Sequence, residues 1–374
     1  MSNKTSGPSL HLGTYAKIPV YIHWSFGFIF FYIAFLSYKD GLDLDSFLFQ
    51  IALVPFIFFC IVLHEYGHAL TARKYGVQTK DIIIFPIGGV ARLERIPKKP
   101  IQEFLMTLAG PMVNIVIAVV LFIAFYFVFG TGLIELGSNI IDLGFNDGFN
   151  TFPFYNNVET FTAVIIITNV LLFGFNMIPA FPMDGGRLVR SSLAMKIGHF
   201  NATSIATVIG KICAVGFIIF GLYDGQIMLA FIGSFVFYSA HMEGKNNQLL
   251  SKLSEIKVGD IANSTFTKIE KAHTLLDVIK PFQNREEMNF LVFEGNEIIG
   301  SMPEQYIAHY IKEGISPNTL IGNIMSERFY VFNYEDVLSD VYDVMNEEGI
   351  AIVAIKKDDQ LIGVADRQLL SKYL

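Results

Sequence analysis

Cys60-Ile61-Val62-Leu63-His64-Glu65-Tyr66-Gly67-His68 closes an almost wholly apolar segment that starts near Phe47. It reads His-Glu-x-x-His. Residues four apart on a helix differ by about 40° of rotation, so His64 and His68 share one face. Two imidazoles so placed can hold one Zn²⁺ through ring nitrogens, and Glu65 beside the first can take a proton from an activated water. The pattern is short and occurs by chance. Its setting distinguishes it, because two histidines and a glutamate are costly to keep in an apolar span and mark a functional site there. The competing reading is a helix whose polar residues face a water-filled pore.

Composition agrees with a membrane protein. The 374 residues are 52% hydrophobic and only 16% charged, where soluble domains are nearer a quarter, and mean hydropathy is +0.47. The 36 phenylalanines cluster in the apolar runs, and the net charge of −7 argues against nucleic acid as a partner. Two cysteines, Cys60 and Cys213, both in apolar spans, give no readable disulfide framework. Cys60 precedes His64 by four, but a small thiol packing as a hydrophobe is the simpler reading. Residues 1–17 are polar, with no removable leader evident, and form a cytosolic N-terminal segment.

Working outward, the first span is expected at about 20–37, and the second, at 46–72, carries the motif. Residues 80–94 have the composition of a membrane-associated β-hairpin, two strands around Pro86-Ile87-Gly88-Gly89. A third span at 104–129 contains Gly110-Pro111, implying a kink or a close helix contact. Residues 130–159 leave a partial helix and a lid as open alternatives. A fourth span at 161–178 runs into Pro179-Ala180-Phe181-Pro182-Met183-Asp184-Gly185-Gly186, and spans at 205–223 and 227–241 form a helical hairpin.

Arg73, Lys74, Lys80, Arg92, Arg95, Lys98 and Lys99 lie between spans two and three, and Arg187, Arg190 and Lys196 between four and five. The positive-inside rule then places both termini and these loops in the cytosol. The histidine pair ends span two and Asp184 follows span four, so both fall at the same depth. Asp184 is therefore favoured as a third metal ligand over its other reading, a turn residue before Gly185.

With His64-Glu65-x-x-His68, Gly88-Gly89, Gly110-Pro111-x-x-Asn114 and Asn176-x-x-Pro179-x-x-Pro182-x-Asp184-Gly185, the chain resembles the site-2 protease family of intramembrane zinc metalloproteases. It is similar to the compact six-span subgroup with a C-terminal regulatory module. The resemblance implies a protease domain over 18–245 and one zinc per chain on His64, His68 and Asp184. It further implies Glu65 as general base and Asn176 as a residue holding the substrate or its oxyanion. His23 sits where such proteins often carry a histidine, and an interfacial or packing role fits it better than a ligand role. A helical substrate must unwind before cleavage, and the edge of the 80–94 hairpin, with Gly88 and Gly89, is where the unwound strand would pair. The expected activity is metalloendopeptidase cleavage of a membrane-spanning or membrane-tethered protein near the cytosolic side, in the lipid of the plasma membrane. The alternative is a metal-binding transporter or channel without protease activity.

From about Ser254 the chain becomes rich in charge and repeats itself. Val258-Gly259-Asp260-Ile261 matches Ile321-Gly322-Asn323-Ile324, Leu275-Leu276-Asp277-Val278 matches Leu338-Ser339-Asp340-Val341, and Ile299-Gly300 matches Ile362-Gly363, each pair 63 positions apart. Two strand-helix-strand-strand-helix units, about 254–315 and 317–374, resemble a CBS domain pair. Such pairs often bind adenine nucleotides through a Ser or Thr and an Asp after the glycine. Ser301-Met302-Pro303-Glu304-Gln305-Tyr306 and Val364-Ala365-Asp366-Arg367-Gln368-Leu369 depart from that pattern, which favours a dimerising or substrate-docking module over a nucleotide site. The fold class expected is thus a mainly α-helical polytopic membrane protein of about six transmembrane helices with a small β-hairpin, plus a soluble α/β CBS pair.

Overall fold

A computed structural model describes residues 8–39, 41–86, 88–94, 97, 99–130, 158–284 and 287–374. It divides into two units, Met1–Gly244 and Lys245–Leu374.

In the first unit, β1 (Ser9–Tyr15), β2 (Ile18–His23), β3 (Thr79–Phe85) and β4 (Gly88–Leu93) form one sheet in that order. The β3–β4 hairpin is the one expected at 80–94, and β1–β2 is a second hairpin laid parallel to it, with Val20 opposite Ile82 and Ile22 opposite Ile84. This corrects the expected first span. Residues 18–21 alternate buried and half-buried side chains, the period of a strand, and Ile18, Val20, Ile82 and Ile84 pack on Val54 and Ala69 of the helix that follows. His23 then accepts from the Ser25 N–H at 3.3 Å and caps a short 3-10 turn. Helix α1 (Gly27–Lys39) has 13 residues, about 20 Å of length against a bilayer core of about 30 Å.

Among the described residues five helices are long and apolar enough to cross a membrane: α2 (Leu44–Lys74), α3 (Pro100–Phe129), α4 (Val158–Asn176), α6 (His199–Tyr223) and α7 (Ile227–Leu253). The sixth expected span is the shorter α1. Between α4 and α6 lies α5 (Asp184–Ile197), a helix in what the sequence suggested was a loop. Helix α2 opens where Asp43 accepts from the Ser46 N–H at 3.1 Å, and closes with Arg73 and Lys74 in its last turn, where cations suit the helix dipole. Phe31, Phe127, Ile212 and Phe231 stand exposed on α1, α3, α6 and α7. Most of the 130–159 stretch lies outside the described residues.

The second unit contains the short helix α8 (Val258–Ile261) and two matching copies. The first is β5 (Ile269–Glu270), α9 (Leu275–Gln283), β6 (Phe290–Glu294), β7 (Glu297–Met302) and α10 (Glu304–Lys312). The second is β8 (Val331–Asn333), α11 (Leu338–Glu347), β9 (Ile352–Lys357), β10 (Gln360–Asp366) and α12 (Arg367–Leu370). In both, the first two strands run parallel and the last two antiparallel, and α9, β7 and α10 begin 63 positions before α11, β10 and α12. The sequence repeat is therefore a structural one, a CBS-type α/β pair. Leu291 and Phe293 of one sheet pack on Ile352, Ala354 and Val364 of the other.

Candidate metal centre

His64 and His68 lie on one face of α2, and Asp184 opens α5, where the helix N-terminus favours a carboxylate. His64 Nε2 and His68 Nε2 are 3.1 Å apart, and Asp184 Oδ2 is 3.2 Å from each. Tetrahedral zinc with bonds of about 2.0–2.1 Å separates its ligand atoms by about 3.3 Å, so this triangle and its two-imidazole, one-carboxylate composition fit the ion. The trio is the group with metal-binding spacing among the described residues. His64 and Asp184 are buried, and the His68 side chain is 12% exposed. The His68 Nδ1–H donates to the Met106 carbonyl at 2.9 Å, which leaves Nε2 with its lone pair directed at the other donors.

Helix α3 leaves room for this triangle because Gly110 faces it. A Cβ at Gly110 would stand 2.2 Å from His68 Nε2 and 2.8 Å from His64 Nε2. The Gly-Pro pair thus marks a close helix contact, and that contact is at the site itself.

Asp184 is held by the far side of α5. Arg190, 3% exposed, donates through Nε and Nη2 to Glu103 Oε1 of α3 at 2.9 and 2.5 Å, and through Nη1 to Glu243 Oε1 of α7 at 2.7 Å. Its guanidinium also lies 5.4 Å from the ring centroid of Phe181, in the loop that delivers Asp184. Arg190, counted as a loop charge on sequence grounds, is thus a buried tie between three helices. Nothing in its local sequence names Glu103, 87 residues away, as its partner.

Glu65 points to the sheet. Its Oε2 accepts from the Ala91 N–H of edge strand β4 at 3.1 Å, and a Cβ at Gly89 would stand 2.8 Å from its Cγ. Gly89 therefore brings a strand edge against the glutamate, whereas a Cβ at Gly88 would meet nothing within 4 Å. Gly88 has φ +142°, a conformation glycine adopts readily. Asn176, in the last turn of α4, spends one amide hydrogen on the Leu172 carbonyl at 3.0 Å. His23 stands apart from the trio, with its ring 5.0 Å from that of Phe85. The Cys60 thiol, likewise outside the trio, accepts from Asn169 Nδ2 at 3.3 Å.

In the CBS-type unit a cavity of about 550 Å³ lies between α8, β9, β10 and the segment before β6. Glu287 and Asp366 line it with Lys372, and Asp366 is engaged in accepting from the Leu369 N–H at 2.8 Å. Among the described residues its charged lining is thus two carboxylates and one lysine.

Comparison with known proteins gives concordant results. Residues 52–220 match the profile of peptidase family M50. The chain is 31% identical over 293 residues to a zinc metalloprotease of Methanocaldococcus jannaschii, spanning 78% of this chain and 77% of that one. It is 24% identical over 396 aligned positions to a candidate zinc metalloprotease of Synechocystis, spanning 98% and 95% of the two chains. Among solved structures, a site-2 protease from Methanocaldococcus jannaschii aligns with 34% identity over 63% of this chain and 95% of that one, with a TM-score of 0.44.

Proposed function

The chain belongs to peptidase family M50, the site-2 protease family of zinc metalloproteases, and on that premise we propose that it cuts membrane-spanning or membrane-tethered proteins within the bilayer, near its cytosolic face. Membership in a metalloprotease family sets aside the reading as a transporter. In our reading residues 18–245 form the protease, 254–374 the CBS pair, and His64, His68 and Asp184 hold one zinc ion. The observation that carries this is the triangle of ligand atoms 3.1–3.2 Å apart with Glu65 next in sequence to one of them.

Zinc bound there supplies a Lewis acid that brings a water's pKa near neutrality. Glu65 takes a proton from the attacking water and returns it to the leaving amine, while the Ala91 N–H holds Oε2 and so orients the carboxylate. The edge of β4, brought to Glu65 by Gly89, offers main-chain partners to an unwound substrate strand, and Asn176 keeps its remaining amide capacity for the substrate backbone. The basic loops support a cytosolic position for both termini, and the compact six-span form of the family supports the plasma membrane as the location. The CBS pair serves as a dimerising or substrate-docking module, a reading its acidic cavity supports.

The test is cleavage of a single-span substrate by the purified chain in detergent, with fragments placed by mass spectrometry. A cut inside the apolar span, abolished by a chelator and restored by zinc, is expected. Cleavage that survives full zinc removal overturns the reading.

A further inference from the structure

Between α2, α3 and α4 the core changes character within one turn. Cys60, Ile117 and Ile165, one from each helix, belong to a single packed cluster. Gly110 lies beside the histidines and Ile117 beside Cys60, so α3 runs opposite to α2. One turn from that cluster toward the metal centre come His64 on α2, Asn114 on α3 and Asn169 on α4. They are 6%, 0% and 0% exposed.

Six buried side-chain nitrogen and oxygen atoms lack a hydrogen-bond partner among the described residues, and four of them are here: His64 Nδ1, Asn114 Nδ2, Asn114 Oδ1 and Asn169 Oδ1. In an apolar span such atoms are satisfied by one another or by a buried water. Their chemistry is complementary. With His64 Nε2 facing Asp184 and His68, its Nδ1 carries the proton and is a donor. Asn114 offers one acceptor and one donor, and Asn169 Oδ1 is an acceptor. Asn169 is itself anchored, since its Nδ2 donates to Cys60 Sγ at 3.3 Å and to the Ile165 carbonyl at 2.9 Å.

None of these four atoms reaches another directly, and we propose that His64, Asn114 and Asn169 form a hydrogen-bonded relay, closed through buried water, that fixes the tautomer and ring orientation of His64. In it the His64 Nδ1–H donates to a water that Asn114 Oδ1 also binds, and the Asn114 amide reaches Asn169 Oδ1 in the same water-bridged way. It does for His64 what the Met106 carbonyl does for His68. Asn114 is thus a positioning residue acting through His64, and the proposal rests on the reading of His64 as a zinc ligand. Partners of this kind typically set metal affinity by about 10–100-fold.

The test uses the full chain in detergent, with zinc affinity measured by chelator competition and the visible absorption of the Co²⁺-loaded protein reporting ligand geometry. Asn114→Leu, similar in size and apolar, is expected to weaken zinc binding about 10–100-fold and to shift the Co²⁺ bands. Asn169→Leu should move both readouts in the same direction. Asn114→Asp, which keeps an acceptor for the Nδ1–H, should restore both. Wild-type affinity and spectrum in both leucine variants overturn the relay while leaving the ligand assignment standing. A wild-type chain that binds zinc no better than His68→Ala overturns the assignment and the relay with it.

Discussion

Substituting Gly110 by alanine adds one methyl group at the face of α3 that meets the histidines. The new carbon would stand 2.2 Å from His68 Nε2, 2.4 Å from its Cε1 and 2.8 Å from His64 Nε2. Contact between such atoms requires about 3.5 Å, so the His68 ring or the helix must yield by about 1.3 Å. A metal site tolerates about 0.2 Å in its bond lengths. Turning the ring away also breaks the Nδ1 bond to the Met106 carbonyl that sets its tautomer. Alanine is the better helix former by about 1 kcal/mol, so α3 gains in intrinsic preference while the site loses its geometry. Gly110→Ala should therefore keep its helical content and detergent monodispersity but bind zinc at least about 100-fold more weakly, beyond the usual effect of a supporting contact. Competition with a colorimetric chelator reads this directly. Wild-type affinity in the alanine variant would refute the packing argument.

Gly89→Val should push Glu65 from the strand edge and stop cleavage while zinc content stays at the wild-type level; loss of zinc along with activity would mean that β4 supports the ligands instead. Arg190→Met removes one partner of a buried ion-pair cluster and leaves Glu103, 1% exposed, with only His199 Nε2 at 4.0 Å facing it among the described residues. Destabilisation of about 3–5 kcal/mol is expected in reversible unfolding, and a loss below about 1 kcal/mol would show Glu103 to be neutral or hydrated. In the CBS-type unit, bonds from the Thr274 N–H and hydroxyl hold the Asp277 carboxyl below its usual range. A group depressed on folding contributes stability above its unfolded pKa and loses it as pH falls through the folded value. Protection factors over Leu275–Gln283, which remove the intrinsic pH dependence of exchange, should therefore fall below about pH 4 in the wild type, and this dependence should vanish in Asp277→Asn; unchanged acid dependence would exclude the cap as its source.

The sequence carries the candidate metal centre because its signals are local. His64 and His68 are one turn apart, and Asp184 reaches the same depth by following the next span of the same direction. The β3–β4 hairpin is equally local, although Gly88 and Gly89, expected in its turn, open strand β4 and pair with Phe85 and Ile84. What escaped the sequence depends on distant partners. Residues 20–23 are apolar enough to continue into a span, and only the pairing of Val20 with Ile82 makes them a strand. The helix Asp184–Ile197 carries Arg187, Arg190 and Lys196 and has the composition of a loop; the burial of Arg190 depends on Glu103 and Glu243. Gly110 signals a close approach, but which group approaches is decided by α2. The orphan amide of Asn114 becomes visible only when its burial is known.

The central claim is that the His-His-Asp triangle holds zinc and that Glu65 performs the proton transfers. Zinc content measured together with cleavage of a single-span substrate, for wild type and Glu65→Gln, tests it most directly. The account predicts one zinc per chain in both proteins and cleavage by the wild type alone. Cleavage at the wild-type rate by Glu65→Gln, or an active wild type that holds no zinc, would contradict it.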